Sequence, residues 1–391
     1  MADTELVQNN SGSWPWSWFG WSPCSTVMLR AIEKQILSSL KTAYRGFFVD
    51  IGPVVGKADK IWTVALNTDS KKTPILLLHG FASGVALWCL NLDALAAHRP
   101  VYAIDILGFG RSSRPSFSND ALEAETQLVQ SVDEWRREMN LDKVILLGHS
   151  MGGFLAASYA LHYPDRVKHL VLADPWGFPE RPADLNTRMP LWVRGIVYVV
   201  QLSSKPLWPV RAAGPLGQWL IGKARPDLVK KFTPFLEDAD DLIPKYIFHC
   251  NAQNPTGEMA FYSMMSGLGW AKNPIVNRID TLSEDIPITL LYGSRSWVDS
   301  SASETIRALR PNSYINIQIL AGAGHHVYAD KCDIFNQYVV EACESDESIG
   351  KKADDTQPEK EGGDIAIVLS PQDRSSDENV PPGSGHTTVA S

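Results

Sequence analysis

The chain is poor in cysteine and pairs none of it. Its five cysteines, Cys24, Cys89, Cys250, Cys332 and Cys343, are scattered and odd in number, with no CxxC pair. That argues against a disulfide scaffold and against a zinc site, and it fits a reducing compartment. A basic excess is also missing. The formal net charge is −8, and 11 acidic against 4 basic residues fall within 344–391, so the remainder is close to neutral. The global positive field used to hold nucleic acid is therefore excluded. No apolar run approaches the ~20 residues that span a bilayer; the longest, 191–202, is broken by Arg194. The first ten residues are polar and acidic, without the basic start and apolar run of a secretory signal. With 44% hydrophobic and 20% charged residues the chain is not disordered throughout. Its 391 residues accommodate one large core with appendages.

Tryptophan, by contrast, is abundant: thirteen residues, four of them (Trp14, Trp16, Trp18, Trp21) packed with Phe19 into residues 13–21. Pro15 and Gly20 make that stretch a poor packing element. Exposed tryptophan suits a lipid–water boundary, where the ring is buried and the indole N–H stays wet. These four are the expected lipid-surface residues; the other reading is that they pack back on the domain. Leu29, Ile32, Ile36, Leu37 and Leu40 then recur at helical spacing, which predicts an amphipathic helix over 26–40.

From 60 to 174 short apolar runs alternate with helical stretches. Strands are expected at 61–66, 75–78, 101–106, 144–147 and 170–172, with helices at 84–98, 122–140 and 151–163. Runs such as Ile75-Leu76-Leu77-Leu78 are continuous rather than alternating, as in a parallel sheet covered on both faces. The rhythm breaks over 176–275 and resumes with strands at 288–292 and 315–320 and helices at 302–310 and 334–343. The reading is a doubly covered α/β sheet whose middle hundred residues form an insertion over its carboxyl edge. The organisation expected is a Trp-rich segment and helix (1–45), first core part (46–175), cap insertion (176–275), second core part (276–343) and a disordered acidic tail (344–391). Within the tail, residues 365–369 are the one apolar run, either a docking segment or a chance patch.

The strongest chemical signal is Gly148-His149-Ser150-Met151-Gly152, between an apolar strand and a helix-forming run. A serine there sits on a strand-to-helix turn so tight that Gly148 and Gly152 must be small, and the helix N-terminus faces the site. Ser150 is the candidate nucleophile. Its base should lie late in the chain, after the last strand; Gly324-His325-His326 supplies it, and His325 is preferred over His326. The acid should follow the preceding strand, which favours Asp299, with Asp174 as the competitor. The oxyanion donors expected are the N–H groups of Met151 and of Phe81, in His79-Gly80-Phe81-Ala82-Ser83-Gly84. His79 and Asp105 are read as loop-stabilising residues. No metal or organic cofactor is required. Between 181 and 231 there are nine basic and two acidic residues, interleaved with Trp192, Trp208 and Trp219. The pattern fits either a solvated basic surface or contact with anionic lipid headgroups.

With these residues in view the chain resembles a lipid-metabolic subfamily of α/β-hydrolase-domain proteins, those numbered four and five. The resemblance is carried by Lys60-Ile61-Trp62-Thr63, the stretch from Leu107 to Pro115, Asp174-Pro175-Trp176-Gly177-Phe178-Pro179, the stretch from His249 to Pro255, and His325-His326-Val327-Tyr328-Ala329-Asp330. It implies the α/β-hydrolase fold with a helical cap. Member five has asparagine in the elbow and is a lipase co-activator on lipid droplets. Member four keeps serine and hydrolyses N-acyl phosphatidylethanolamine and its lyso form. Ser150 resembles the latter, and an invertebrate form related to both fits the same residues. The resemblance further implies a glycerophospholipid or lysophospholipid substrate. It implies a peripheral place on lipid droplets or intracellular membranes (endoplasmic reticulum or mitochondria), in the cytoplasm, with a lipase or droplet coat protein as partner. The His-x4-Asp spacing of His325 and Asp330 is similar to that of glycerolipid acyltransferases, which implies acyl transfer to lysophosphatidic acid as an alternative.

Overall fold

The computed structural model describes residues 24–182, 205–267, 269–352 and 366–368. The lipid-surface residues Trp14, Trp16, Trp18 and Trp21, and Trp192 of the insertion, lie outside this set. Among the described residues one sheet carries eight core strands, with a short ninth added at its edge by the tail: β1 (Tyr44–Gly52), β2 (Asp59–Leu66), β3 (Ile75–Leu78), β4 (Val101–Ile104), β5 (Val144–His149), β6 (Val167–Ala173), β7 (Ile288–Gly293) and β8 (Ile315–Leu320) are the core strands. They are ordered β1-β2-β4-β3-β5-β6-β7-β8. β1 and β2 are antiparallel to their neighbours, and the rest run parallel. The mostly parallel, doubly covered sheet expected from the apolar runs is therefore present.

The continuous runs divide their side chains between two cores. In β3, Leu76 and Leu78 enter one cluster and Ile75 and Leu77 the other. In β5, Val144 and Leu146 oppose Ile145 and Leu147 in the same way. Successive side chains on a strand point to opposite faces, so a strand buried on both faces shows no polar alternation. The first face is covered by α3 (Ala121–Glu138) and α4 (Met151–His162), through Leu128, Val132, Trp135 and Phe154. The second is covered by α1 (Thr26–Leu37), α2 (Cys89–Ala96) and the final long helix, through Leu29, Ile32, Leu92 and Phe335.

Between β6 and β7, adjacent in the sheet, the described part of the inserted stretch holds five helices. They are α5 (Trp208–Ala212), α6 (Gly217–Ala224), α7 (Pro226–Phe232), α8 (Ala239–Asn251) and α9 (Thr256–Met264). Leu242 and Tyr246 of α8 join the second core, while Ala260 and Phe261 of α9 join the first. After β7 come α10 (Ala302–Leu309), β8, α11 (Val327–Asp330) and α12 (Cys332–Lys352).

Three expectations need correction. β1 has no counterpart in the pattern reading: it is an edge strand that buries little besides Val49 and Ile51, so its sequence shows no core signal. Residues 344–352 belong to α12 and not to the tail. Composition scores a charged stretch as coil, but lengthening an existing helix carries no nucleation cost. Residues 366–368 of the tail's apolar patch form a short ninth strand, parallel to β8.

The N-terminal helix is fastened to the sheet by a buried hydrogen bond as well as by apolar packing. Glu33 of α1 is 2% exposed and accepts a bond from Arg111 Nη1 at 2.8 Å. The Arg111 guanidinium lies 3.4 Å above the Trp62 ring, a cation–π contact. Burial pushes the Glu33 carboxyl up to about 8, against the pull of Arg111.

Candidate active site

β5 ends at His149 and α4 begins at Met151, leaving Ser150 alone in the turn between them. Its backbone has φ 53° and ψ −117°, a conformation that a residue with a Cβ adopts only under constraint. The constraint is visible. Ser150 C=O accepts from the N–H groups of Gly153, Phe154 and Trp176, and Ser150 N–H donates to Ala173 O of β6. A Cβ at Gly152 would run into the Leu78 carbonyl, and one at Gly148 into the carbonyl of Gly152. The small residues flanking the serine are thus required by close packing against β3 and within the elbow itself.

His325, in the loop between β8 and α11, brings Nε2 to 2.9 Å from Ser150 Oγ. Its Nδ1 lies 2.5 Å from Asp174 Oδ2. The structure therefore places Asp174, not Asp299, on the histidine. Asp299 is exposed, and its carboxylate accepts from Ser301 N–H at 2.8 Å. The physical reason lies in the β7 loop, which turns so that Ser296, three residues earlier, faces the site. Its hydroxyl donates to Asp174 Oδ2, and Gly293 N–H donates to Oδ1 at 3.3 Å. Asp174 is fully buried at the end of β6, with φ 46°. Three donors converge on it, which offsets part of the cost of ionising a buried carboxylate.

Burial sets the site's proton affinities. It pushes His325 down to about 4, helped by the nearby charge of Arg225. It pushes the Asp174 carboxyl up to about 7, against Ser296, His149 and Gly293. Below its second deprotonation the pair shares an extra proton. Above it, His325 is neutral and carries its one proton on Nδ1, leaving Nε2 free to accept.

Sequence reasoning missed two contributors. Ser296 has no signal beyond its place in the loop after β7. His149 occupies the variable position of the elbow, and its Nε2–H donates to the His325 carbonyl at 2.9 Å. Burial and the neighbouring His325 push His149 down to about 3, so it stays neutral. His326 is turned toward His149 and Tyr328, with ring centroids 5.3 and 5.9 Å apart.

The loop after β3 lies against the nucleophile. A Cβ at Gly80 would lie 3.2 Å from Ser150 Cβ and 2.7 Å from His149 Nδ1. Among the described residues neither Phe81 N–H nor Met151 N–H donates to a backbone carbonyl. His79 holds this loop: its Nδ1–H donates to Gly80 O at 2.8 Å, and Ile106 N–H donates to its Nε2 at 3.1 Å. Asp105 accepts from Val85 and Arg111 N–H at 2.9 and 2.7 Å. Both act as scaffolding, the loop-stabilising role expected of them from the sequence.

Asp330, the other half of the His-x4-Asp spacing, bonds elsewhere. Its Oδ2 accepts from Gly324 N–H at 2.9 Å, and its Oδ1 pairs with Lys231 of α7. Several other basic residues of the insertion are likewise paired: Arg211 with Glu258 at 2.6 Å and Arg225 with Asp227 at 3.0 Å. Among the described residues no cluster of His, Cys, Asp or Glu could hold a metal ion. Also among them, no helix is long and apolar enough to cross a membrane. Trp208, Leu216 and Trp219 of the insertion are exposed. So is Trp297, whose ring lies 4.9 Å from that of His325.

Known proteins place this geometry in context. The sequence model described as the alpha/beta hydrolase fold matches residues 73–331. The chain is 46% identical over 348 residues to a human (lyso)-N-acylphosphatidylethanolamine lipase, spanning 88% of this chain and 99% of that protein. It is 47% identical over 325 residues to the pig 1-acylglycerol-3-phosphate O-acyltransferase ABHD5, spanning 82% and 91%. Among solved structures, a putative lipase of Acinetobacter baumannii superposes with a TM-score of 0.59 at 18% identity. It covers 82% of this chain and 97% of its own. An elbow serine between β5 and α4, in a chain matched by that family over most of its length, leads to one conclusion: the protein belongs to the α/β-hydrolase fold family.

Proposed function

We propose that the protein is a serine hydrolase that cleaves acyl esters of glycerophospholipids or their lyso forms. The observation that carries this reading is the unbroken chain from Ser150 Oγ through His325 Nε2 and Nδ1 to Asp174 Oδ2. Ser150 attacks the ester carbonyl while His325 takes its proton. The N–H groups of Phe81 and Met151 receive the developing oxyanion, each worth about two to three orders of magnitude in rate. His325 then protonates the leaving alcohol, the acyl-enzyme forms, and water repeats the sequence to release fatty acid. Asp174 fixes the imidazole, and Ser296 supports the carboxylate. The substrate class follows from the lipid-active relatives.

Acyl transfer to a lysophosphatidic acid is the second reading, favoured by the ABHD5 relative. It needs no separate His-Asp dyad. Asp330 is spoken for by Gly324 and Lys231, so transfer would use the same acyl-enzyme, intercepted by a lipid alcohol instead of water. A purely regulatory role on lipid droplets is disfavoured by Ser150 in the elbow. The test is to label the purified protein with a fluorophosphonate and then offer a phospholipid panel, with and without lysophosphatidic acid and acyl-CoA. We expect the label on Ser150 and fatty acid release to stop in proportion to labelling. Acyl-CoA-dependent product formed by fully labelled protein would overturn the mechanism.

The lipid surface is engaged from the insertion side. Trp208 and Trp219 are 51% and 62% exposed, and an indole left in water on a basic element suits the headgroup zone. Replacing both with Ala is expected to lower flotation with phosphatidic-acid vesicles several-fold. Replacing Trp14, Trp16, Trp18 and Trp21 together should do the same, and in both cases hydrolysis of a soluble ester should be retained. Flotation equal to wild type in both variants would remove these residues from the interface.

A further inference from the structure

Residues 249–255 enter the sequence reading only as part of a resemblance, and the catalytic scheme uses none of them. In the structure they span the end of α8 and the turn beyond it; Gln253 reaches Gly110 O and Arg114 holds the Cys250 and Asn254 carbonyls, while Asn251 alone among them reaches the loop that follows β3. Asn251 Nδ2 donates to Ala82 O at 2.9 Å and, within its own helix, to Ile247 O at 2.8 Å. One turn and a half earlier in α8, Tyr246 Oη accepts from Ala86 N–H at 3.1 Å. A Cβ at Gly84 would strike that hydroxyl, so the loop passes beneath Tyr246 only because residue 84 is glycine. Two side chains of one helix thus grip a loop whose other end abuts Ser150.

The grip falls on a strained point. Ser83 N–H donates to Gly80 O at 3.3 Å, which closes a four-residue turn with Phe81 and Ala82 at its centre. Ala82, the second central residue, has φ +59°. A turn with positive φ there normally takes glycine, because a Cβ disfavours it. The strain persists only if something outside the turn holds it. Relaxation of Ala82 to negative φ would rotate the peptide between Phe81 and Ala82 and displace Phe81.

We propose that the C-terminal half of α8 is the device that holds the oxyanion loop, with Asn251 as its positioning residue and Tyr246 in support. By fixing the Ala82 carbonyl, Asn251 keeps the turn in its high-energy form and the Phe81 N–H facing the reacting carbonyl. The inference rests on the assignment of Phe81 N–H as an oxyanion donor. It makes the inserted helix part of the catalytic framework. Asn251 touches no reacting atom and acts through the loop.

The experiment uses the full chain and a short soluble ester, so that lipid binding does not enter. Asn251→Asp keeps the size of the side chain and replaces the donor with an acceptor facing Ala82 O. It is expected to lower kcat about 10- to 100-fold with KM within twofold, and to weaken a trifluoromethyl ketone analogue by the same factor, because that adduct carries the oxyanion. Ala82→Gly added to Asn251→Asp should restore most of the loss, since glycine adopts the positive φ unaided. Tyr246→Phe, which keeps the packing of the ring, should lower kcat several-fold in the same pattern, and it stands as the test if Asn251→Asp does not fold. Unchanged kcat in the folded variants, or a loss that Ala82→Gly leaves unrepaired, would overturn the proposal. Failure of the hydrolase reading is separate: there, wild type and Ser150→Ala would turn over the ester equally.

Discussion

Ser150→Ala is expected to reduce kcat by about 10⁶-fold, the scale seen when a nucleophile is removed from a serine–histidine–aspartate unit. The residual rate, about 10³–10⁴ above water, would come from the oxyanion donors and binding, which the substitution leaves in place. The hydroxyl does little for the fold. Its bond is to His325, and the elbow is held by backbone groups: Ser150 N–H donates to Ala173 O on β6, and Ser150 O accepts from three amides. Stability should therefore change little on Ser150→Ala. Ser150→Gly differs in an instructive way. With φ 53° and ψ −117° the serine carries strain of about 1–3 kcal/mol. Removing its Cβ should release part of that, raising the unfolding free energy by about 1 kcal/mol over Ser150→Ala while both remain inactive. Steady-state kinetics and urea unfolding on the same preparations check both halves. Substantial turnover in either variant would sink the nucleophile assignment, and a less stable Ser150→Gly would sink the strain argument.

The parts of the molecule legible in the sequence are those where local chemistry and global fold agree. Runs such as Ile75–Leu78 can only be strands buried on two faces, and they end where the site is built. Gly148, Ser150 and Gly152 mark the elbow because no larger neighbour fits against the carbonyls around it. His325 is legible because a loop after the last strand must supply the base. Asp299 is not the aspartate that meets His325 in the structure, because loop direction is not written in spacing. The loop after β7 and the end of β6 lie side by side, and both offer an aspartate. The turn that points Ser296 inward and leaves Asp299 in solvent is fixed by contacts with β6 and with the histidine loop. The same holds for Asn251 and His149, whose partners are 169 and 176 residues away in the chain. A pattern reading senses periodicity and nearest neighbours; it has no access to which backbone carbonyl a distant side chain meets.

Asp174→Asn and Asp299→Asn are expected to separate sharply. Asn at 174 keeps the shape of the acid but offers an amide to His325 Nδ1, favouring the tautomer with its proton on Nε2, where it cannot accept from Ser150. Such a change is worth about 10⁴-fold in kcat. Asp299→Asn alters an exposed carboxylate bonded to Ser301 N–H, and kcat should stay within about threefold. The pH profile gives an independent check. In wild type the competent form has Asp174 ionised and His325 neutral, and it appears only when the pair gives up its second proton. Activity should thus rise with pH, reach half its plateau near the pair's upper value of about 7, and fall tenfold per pH unit well below it. Asp174 is raised from its ordinary range by burial, so the active form is lost as pH falls through that value and kept above it. Asp299→Asn should leave this curve unmoved; Asp174→Asn should remove the step near 7 along with most of the rate. A collapse of activity in Asp299→Asn with a wild-type rate in Asp174→Asn would return the acid to the loop after β7, and would mean that this loop reorganises when substrate binds.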